Sequence, residues 1–152
     1  MNVRKVNKMH TIAIGCDPNA AESKRAIISL LTQNGYSVAD LGSDDPIYAN
    51  VAVRVAEAVV NKEYDRGILI CGTGIGVSIA ANKVKGAYAA VIADVYSAER
   101  ARKSNDVKIA CFGAFTTGVK LMEKLVEVFL TSEFEPGSAS QVKVDRIHAY
   151  EC

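Results

Sequence analysis

Five short apolar segments, each followed by a stretch with helical periodicity, constrain the fold of this chain more than any other feature. They cover residues 11–16, 36–41, 67–71, 88–93 and 107–112. They are nearly continuous apolar runs rather than alternating ones, which is typical of parallel strands covered on both faces. Because strands that alternate with helices form βαβ units, the sequence predicts an α/β fold, a three-layer α/β/α sandwich around a five-stranded parallel sheet.

The helical segments concentrate their apolar residues on one face. The two clearest faces consist of Val51, Val55, Ala58 and Val59, and of Met122, Leu125, Val126 and Phe129. Residues at these spacings lie on one side of a helix, so we expect both faces to cover the sheet. After residue 134, a Glu-Pro-Gly-Ser-Ala-Ser segment predicts a turn before a last helix, which is either peripheral or docked on a partner.

Length and composition bound the domain organisation and the partners. With 152 residues and 49% hydrophobic content, we expect an N-terminal extension over residues 1–10 and a single domain over residues 11–152. The formal charge of +1 favours a small-molecule ligand and no nucleic-acid partner. The sequence contains neither a long uncharged apolar run nor a secretory leader pattern, so we expect no membrane partner and a cytoplasmic location.

The cysteines are spread along the chain. Cys16, Cys71, Cys111 and Cys152 form no C-x-x-C pair, and the chain has only two histidines. Metal sites built from cysteine and histidine need closely spaced ligands. We therefore expect no metal site, and thiols that stay reduced.

Residues capable of chemistry follow directly after the predicted strands. Asp17 follows the first strand, Asp44 and Asp45 follow the second, and Cys71 ends the third. Ligands of parallel sheets bind outside the carboxyl ends of the strands, where loops supply free N–H groups. We therefore expect these residues to gather at one edge of the sheet.

The third strand exit has the most informative pattern. It reads Cys71-Gly72-Thr73-Gly74-Ile75-Gly76, with three glycines at alternate positions. Such a loop can turn its amides inward and bind an anion, either a phosphate or an oxygen that becomes negative during a reaction. The spacing does not fit the dinucleotide motif G-x-G-x-x-G, and a Walker loop would need lysine where Val77 stands.

Two residues at these exits have two interpretations each. Cys71 precedes the amide-rich loop, where free N–H groups favour a reactive thiolate, but a buried cysteine can also be a small apolar core residue. Asp17 can belong to an active site or cap the next helix. Cys16 and Cys111 are interpreted as core residues of their strands.

Five motifs along the chain belong together. They are Gly15-Cys16-Asp17, Asp45-x-x-Tyr48-Ala49, Cys71-Gly72-Thr73-Gly74-Ile75-Gly76-x-Ser78-x-Ala80-x-Asn82-Lys83, Tyr96-Ser97-Ala98 and Ser104-Asn105-Asp106. From residue 11 to about residue 150, the chain resembles the ribose-5-phosphate isomerase B and galactose-6-phosphate isomerase family. The resemblance implies a Rossmann-like sandwich, a sugar-phosphate substrate, and no metal or organic cofactor. It also implies a homodimer or a dimer of dimers, with active sites at the interface.

The resemblance also implies roles for particular residues. Cys71 would be the general base that moves a proton between the first two carbons of the open-chain sugar phosphate. The amides of Gly72, Gly74 and Gly76, with Asn105, would hold the enediolate oxygen. Thr73 and Asp17 would transfer the hydroxyl protons. Tyr48 would lie beside the substrate, and Lys143 falls near the family's phosphate-binding arginine.

The chain departs from the family pattern at four positions. Pro18 and Ser104 stand where the family usually has histidine, and Phe115 and Ser138 stand where it has arginine. In the resembled mechanism the second histidine opens the sugar ring, and Ser104, which takes its catalytic position, is a poor proton shuttle.

These departures leave three functions open. Isomerisation of ribose 5-phosphate to ribulose 5-phosphate is the first. A tetrose 4-phosphate such as erythrose or erythrulose 4-phosphate, which has no stable ring to open, is the second. A noncatalytic anion-binding subunit is the third.

Overall fold

Residues 10–151 are described by the structure, a computed structural model, and they form five strands and six α-helices. The strands are β1 (Thr11–Cys16), β2 (Ser37–Asp40), β3 (Arg66–Cys71), β4 (Ala89–Val91) and β5 (Ile109–Gly113). The helices are α1 (Ala21–Gln33), α2 (Tyr48–Val60), α3 (Ile75–Ala81), α4 (Val95–Lys103), α5 (Val119–Thr131) and α6 (Gln141–His148). All five predicted strands and the predicted last helix are present. The predicted extension lies outside the described residues, apart from His10.

The five strands form one parallel sheet in the order β2, β1, β3, β5, β4. β3 therefore lies at the centre, between β1 and β5. From β1 the chain first builds outward to β2 and then returns to the other side of β1 to form β3. The order thus reverses between β1 and β3, and in open α/β sheets such a reversal opens a crevice at the carboxyl edge.

Each face of the sheet carries its own core. On one face α1, α4 and α5 cover alternate strand residues such as Ile14, Ile68 and Phe112. On the other, α2 and α3 cover the residues between them, such as Leu69 and Cys111. The two helical faces expected from the sequence are buried as predicted, with each of the eight residues no more than 7% exposed. The three-layer α/β/α sandwich is confirmed.

The expectation that every strand is buried on both sides holds only for the middle of the sheet. β1, β3 and β5 are almost wholly buried, whereas β2 and β4 are half-buried or exposed. β2 and β4 are the edge strands, so each has a neighbour on one side only. An apolar run alone does not reveal whether its strand is central or at an edge.

Two absences can be stated for residues 10–151. In this part of the chain, no helix combines the length and the apolar character that a membrane span requires. The same residues contain no group of three or more His, Cys, Asp or Glu side chains placed to hold a metal ion.

Candidate active site

The reversal in strand order places the ends of β1 and β3 side by side. Cys16 of β1 pairs with Ile70 of β3, and the next amide, that of Asp17, donates to the carbonyl of Ile70 over 3.0 Å. Asp17 therefore lies beside Cys71, the last residue of β3. The sequence predicted that these exits share an edge, and the structure makes them neighbours.

The glycine loop is held against the exit of β5 by backbone contacts. The amide of Ala114 donates to the carbonyl of Cys71 (2.8 Å), and that of Phe115 donates to Gly72 (3.0 Å). Gly74 has a positive φ of 79°, and a Cβ there would lie 2.9 Å from the carbonyl carbon of Phe112. Glycine is therefore required at position 74, both for its conformation and for close backbone packing.

Cys71 lies where the core between the sheet and α3 meets this loop. The residue is 4% exposed, whereas Cys16 and Cys111 are 0% exposed. Its sulfur accepts a hydrogen bond from the amide of Gly74 over 3.1 Å. The thiol thus faces a backbone donor of the glycine loop, whereas the sulfurs of core cysteines pack against apolar side chains.

The other two cysteines in the described residues lack such surroundings. Burial is the main cause that raises the pKa of Cys16 to about 11, although Lys24 partly opposes it. Burial also raises the pKa of Cys111 well above its ordinary value, with a smaller contribution from Cys71. Both side chains are therefore protonated thiols at neutral pH, in agreement with their interpretation as core residues.

The two residues proposed to transfer hydroxyl protons, Asp17 and Thr73, lie at the carboxyl edge of the sheet. The Asp17 carboxylate accepts from the amide of Asn19 over 2.9 Å and caps a short 3-10 turn at Pro18–Ala20. The hydroxyl of Thr73 accepts from the amide of Ile75 over 3.2 Å. Asp17 is thus a cap that also lies beside Cys71, so its two interpretations are compatible.

Two aromatic rings enclose the loop from outside. A Cβ on Gly76 would overlap the hydroxyl oxygen of Tyr48, and a Cβ on Gly72 would lie 2.9 Å from the ring of Phe115. Phe115 is 74% exposed although it covers the loop. The sequence places Phe115 just after the exit of the fifth strand, at the position of a family arginine, but it did not predict that the ring covers Gly72.

Three of the candidate residues lie at the opposite edge of the same sheet. Ser104 and Asn105 follow α4 and precede β5, and the carbonyl of Lys108 accepts from Gly67 at the start of β3. From Gly67 to Cys71 the strand advances four residues, about 13 Å at the usual rise per residue. Ser104 and Asn105 are therefore separated from Cys71 of their own chain by the length of β3.

Lys143 belongs to this second group. It lies on α6, whose Val144 and His148 line a cavity of about 220 Å³ together with Asn105 and Tyr88. The Ser104 hydroxyl accepts from Nε of Arg100 over 2.7 Å. The candidate residues of one chain thus lie in two groups, which we call the partial sites: Asp17, Tyr48, Cys71 and the glycine loop at the carboxyl edge, and Ser104, Asn105 and Lys143 at the amino edge.

A family model described as Ribose/Galactose Isomerase matches residues 12–147 of the chain. The chain belongs to this family. The match covers both partial sites and nearly all of the described residues, and it confirms the family inferred from the motifs. The expectation that the protein is an enzyme, an isomerase acting on sugar phosphates, is confirmed with it.

Two relatives within the isomerase family are named for different substrates. The chain is 49% identical over 137 residues to Ribose-5-P isomerase B of Listeria innocua, covering 88% of this chain and 92% of the relative. It is 50% identical over 146 residues to D-erythrulose-4-phosphate isomerase 2 of Mycolicibacterium smegmatis, covering 92% and 96%. Sequence identity therefore does not separate the two substrates.

Solved structures of the isomerase family share the fold. Ribose-5-Phosphate Isomerase B of Clostridium thermocellum superposes with a TM-score of 0.87 at 40% identity, over 91% of this chain and 95% of that one.

Proposed function

We propose that this isomerase interconverts ribose 5-phosphate and ribulose 5-phosphate, with Cys71 as the base. The observation that carries the proposal is the sulfur of Cys71 at the end of β3, 3.1 Å from the amide of Gly74. A thiolate there takes the proton from C2 of the open-chain aldose and returns it to C1, which converts the aldehyde to a ketone through an enediolate.

The glycine loop supports both halves of this transfer. The Gly74 amide stabilises the thiolate before the reaction, and its hydrogen bond to the sulfur weakens once the sulfur has taken the proton, because the sulfur is then neutral. Gly76 lies in the first turn of α3, where backbone amides have no partner within the helix. These amides, with that of Gly72, hold the negative oxygen of the enediolate. Asp17 and Thr73 exchange the hydroxyl protons, and Tyr48 encloses the substrate.

We propose further that two chains complete each site. Asn105 and Lys143 have proposed roles on the substrate but lie at the amino edge, so they reach Cys71 only from another copy. The outer face of α2 and α3 exposes apolar side chains, with Ile75 at 55% and Ile79 at 59%. Exposed apolar surface of this kind is typical of an interface between chains.

The geometry of α3 suggests how the chains pair. α3 spans about 10 Å from the loop beside Cys71 to Asn82, which lines the cavity at the amino edge with Asn105 and α6. If two copies of α3 pack antiparallel about a twofold axis, the Cys71 end of one faces the Asn82 end of the other. Ser104, Asn105 and Lys143 of each chain then face the glycine loop of its partner.

Mixing two inactive variants tests this arrangement. Cys71→Ala and Asn105→Ala each damage both sites of a homodimer. After the chains are unfolded together and refolded, half of the dimers are mixed, and each of these contains one native site. We expect about a quarter of wild-type activity to return. Activity no higher than the sum of the two separate variants would contradict a shared site.

A tetrose 4-phosphate is a second candidate, because Pro18 and Ser104 stand at the two positions where the family usually has histidine, one of which opens the sugar ring. The hydroxyl of Ser104 accepts a hydrogen bond from Arg100, and Pro18 is exposed. Two relatives, from Mycolicibacterium smegmatis and Pectobacterium atrosepticum, are named D-erythrulose-4-phosphate isomerases. A substrate that stays open needs no group for ring opening, which fits this site.

The purified protein assayed side by side with ribose 5-phosphate, erythrose 4-phosphate and allose 6-phosphate tests both candidates. We expect the largest kcat/KM for ribose 5-phosphate. If erythrose 4-phosphate exceeds it, the tetrose candidate replaces the first. Conversion of none of the three would leave the anion-binding subunit as the remaining proposal. We expect the enzyme to act in the cytoplasm, without a metal or an organic cofactor.

A further inference from the structure

The last helix, α6, is weakly anchored to the rest of the chain. Val144 is its only buried residue, and Val142 is 71% exposed. An isolated helix of eight residues is not stable in water, so its position depends on contacts at its ends. One end carries Lys143, for which a phosphate-binding role is proposed above.

Four residues, which we name the C-terminal clasp, hold the far end of α6. The Glu151 carboxylate accepts from the amide of Gly86 over 2.8 Å and from the hydroxyl of Tyr88 over 2.6 Å. The ring of His148 stacks on the ring of Tyr88, with centroids 4.4 Å apart and an interplanar angle of 17°. Gly86, Tyr88, His148 and Glu151 thus tie the end of α6 to the segment before β4.

The clasp is built on a strained but well-fixed residue. Tyr88 has a φ of 47°, which is unfavourable for a side chain larger than glycine and persists only where surrounding contacts impose it. Its carbonyl accepts from the amide of Lys108 over 2.9 Å, so its backbone is tied to the amino end of β5. The hydrogen bonds from Tyr88 and Gly86 lower the pKa of Glu151, so the carboxylate is ionised at neutral pH.

From these contacts we propose that Glu151 is a positioning residue, which fixes α6 so that Lys143 is presented to the substrate phosphate in the partner's site. This inference rests on the proposed function for the role of Lys143. Glu151 lies outside both partial sites, and it would set the affinity for phosphate by holding α6 through the clasp.

The clasp should act on binding rather than on proton transfer. The loop that carries Asn105, which is proposed to hold the enediolate, has contacts of its own outside α6. Asp106 accepts from Arg102 over 2.9 Å, and the amide of Val107 donates to the carbonyl of Ala101. Loosening α6 therefore displaces Lys143 and leaves the Asn105 loop in place.

The test compares three variants of the full chain. Glu151→Ala removes both clasp bonds, and Glu151→Gln keeps a side chain that can bond to both Gly86 and Tyr88. Glu135→Ala removes one exposed acid from the segment before α6 and serves as the charge control. The dissociation constant of inorganic phosphate is measured by calorimetry, and kcat and KM are measured with the best sugar phosphate. Circular dichroism and the oligomeric state verify the fold.

We expect Glu151→Ala to weaken phosphate binding and raise KM about tenfold with kcat little changed, because displacement of a binding group costs affinity. Glu151→Gln and Glu135→Ala should both stay close to the wild type. Wild-type affinity for phosphate in Glu151→Ala overturns the proposal, as does an equal loss in Glu135→Ala or a wild type that binds no phosphate. If Glu151→Ala weakens phosphate binding as expected but the wild type converts no sugar phosphate, the proposed function is wrong and the positioning role of Glu151 is still supported.

Discussion

Replacing Cys71 with alanine is expected to lower kcat for the isomerisation by about 10³-fold while the fold is preserved, since a positioned general base contributes on this scale. The variant loses the only group at the end of β3 that can carry the proton. KM should change little, because the loop amides that bind the substrate oxygen remain. The measurement is steady-state kinetics on the purified variant, together with its circular dichroism spectrum.

Cys16→Ala is the matched control for this experiment. Cys16 also ends its strand, and it lies beside Ile70 in the neighbouring strand. Its sulfur is fully buried, and burial raises its pKa to about 11. We expect this variant to keep kcat within about twofold and to lose only core packing energy. Similar kcat values for Cys71→Ala and the wild type would exclude Cys71 as the base.

Replacing Arg102 with alanine is expected to destabilise the protein by about 2–4 kcal/mol, since the loss of hydrogen bonds from a buried charged group adds to the cost of the cavity that remains. Arg102 is 2% exposed, and its guanidinium donates to Asp106 (2.9 Å), to the carbonyl of Val107 (2.5 Å) and to Glu133 (3.2 Å). Its removal leaves the Val107 carbonyl without this donor and opens a cavity beside Phe129, whose ring centroid lies 6.0 Å from the guanidinium.

Lys103→Ala provides the comparison on the same helix. The Lys103 side chain is 46% exposed and pairs with Glu99 over 3.3 Å, so its loss should cost no more than about 1 kcal/mol. Both variants are compared by urea unfolding at one fixed protein concentration, because association of chains raises apparent stability. Equal midpoints for Arg102→Ala and the wild type would show that the contacts of the buried guanidinium add nothing to stability.

Local patterns in the sequence were sufficient to predict most of the fold. The apolar run at residues 11–16 became β1 with the same bounds, and the spacing of Val51, Val55 and Val59 placed one face of α2 on the sheet. The run at residues 88–93 was longer than β4, which spans Ala89–Val91. Tyr88 has a positive φ of 47°, so the strand cannot begin there, and no apolar pattern encodes that angle.

The candidate site was predictable to the extent that it is local. The glycine loop and the thiol before it are contiguous in sequence, so backbone N–H groups were expected near Cys71, and the structure shows that the one bonded to its sulfur belongs to Gly74. The place of Phe115 over Gly72 was not predictable, because it depends on how the exit of β5 turns back onto the loop. That turn is set by packing between segments about 40 residues apart.

The sequence by itself determined the alternation of strands and helices, the apolar faces of the core and the family, because each depends on local patterns of residues, and it predicts the chemistry of the loop. Only the tertiary structure decided that β1 and β3 are adjacent, and that Asn105 lies a strand's length from Cys71 of its own chain. The physical reason is that strand order minimises the exposed apolar surface of the whole sheet, a quantity to which every segment contributes and which no local pattern contains.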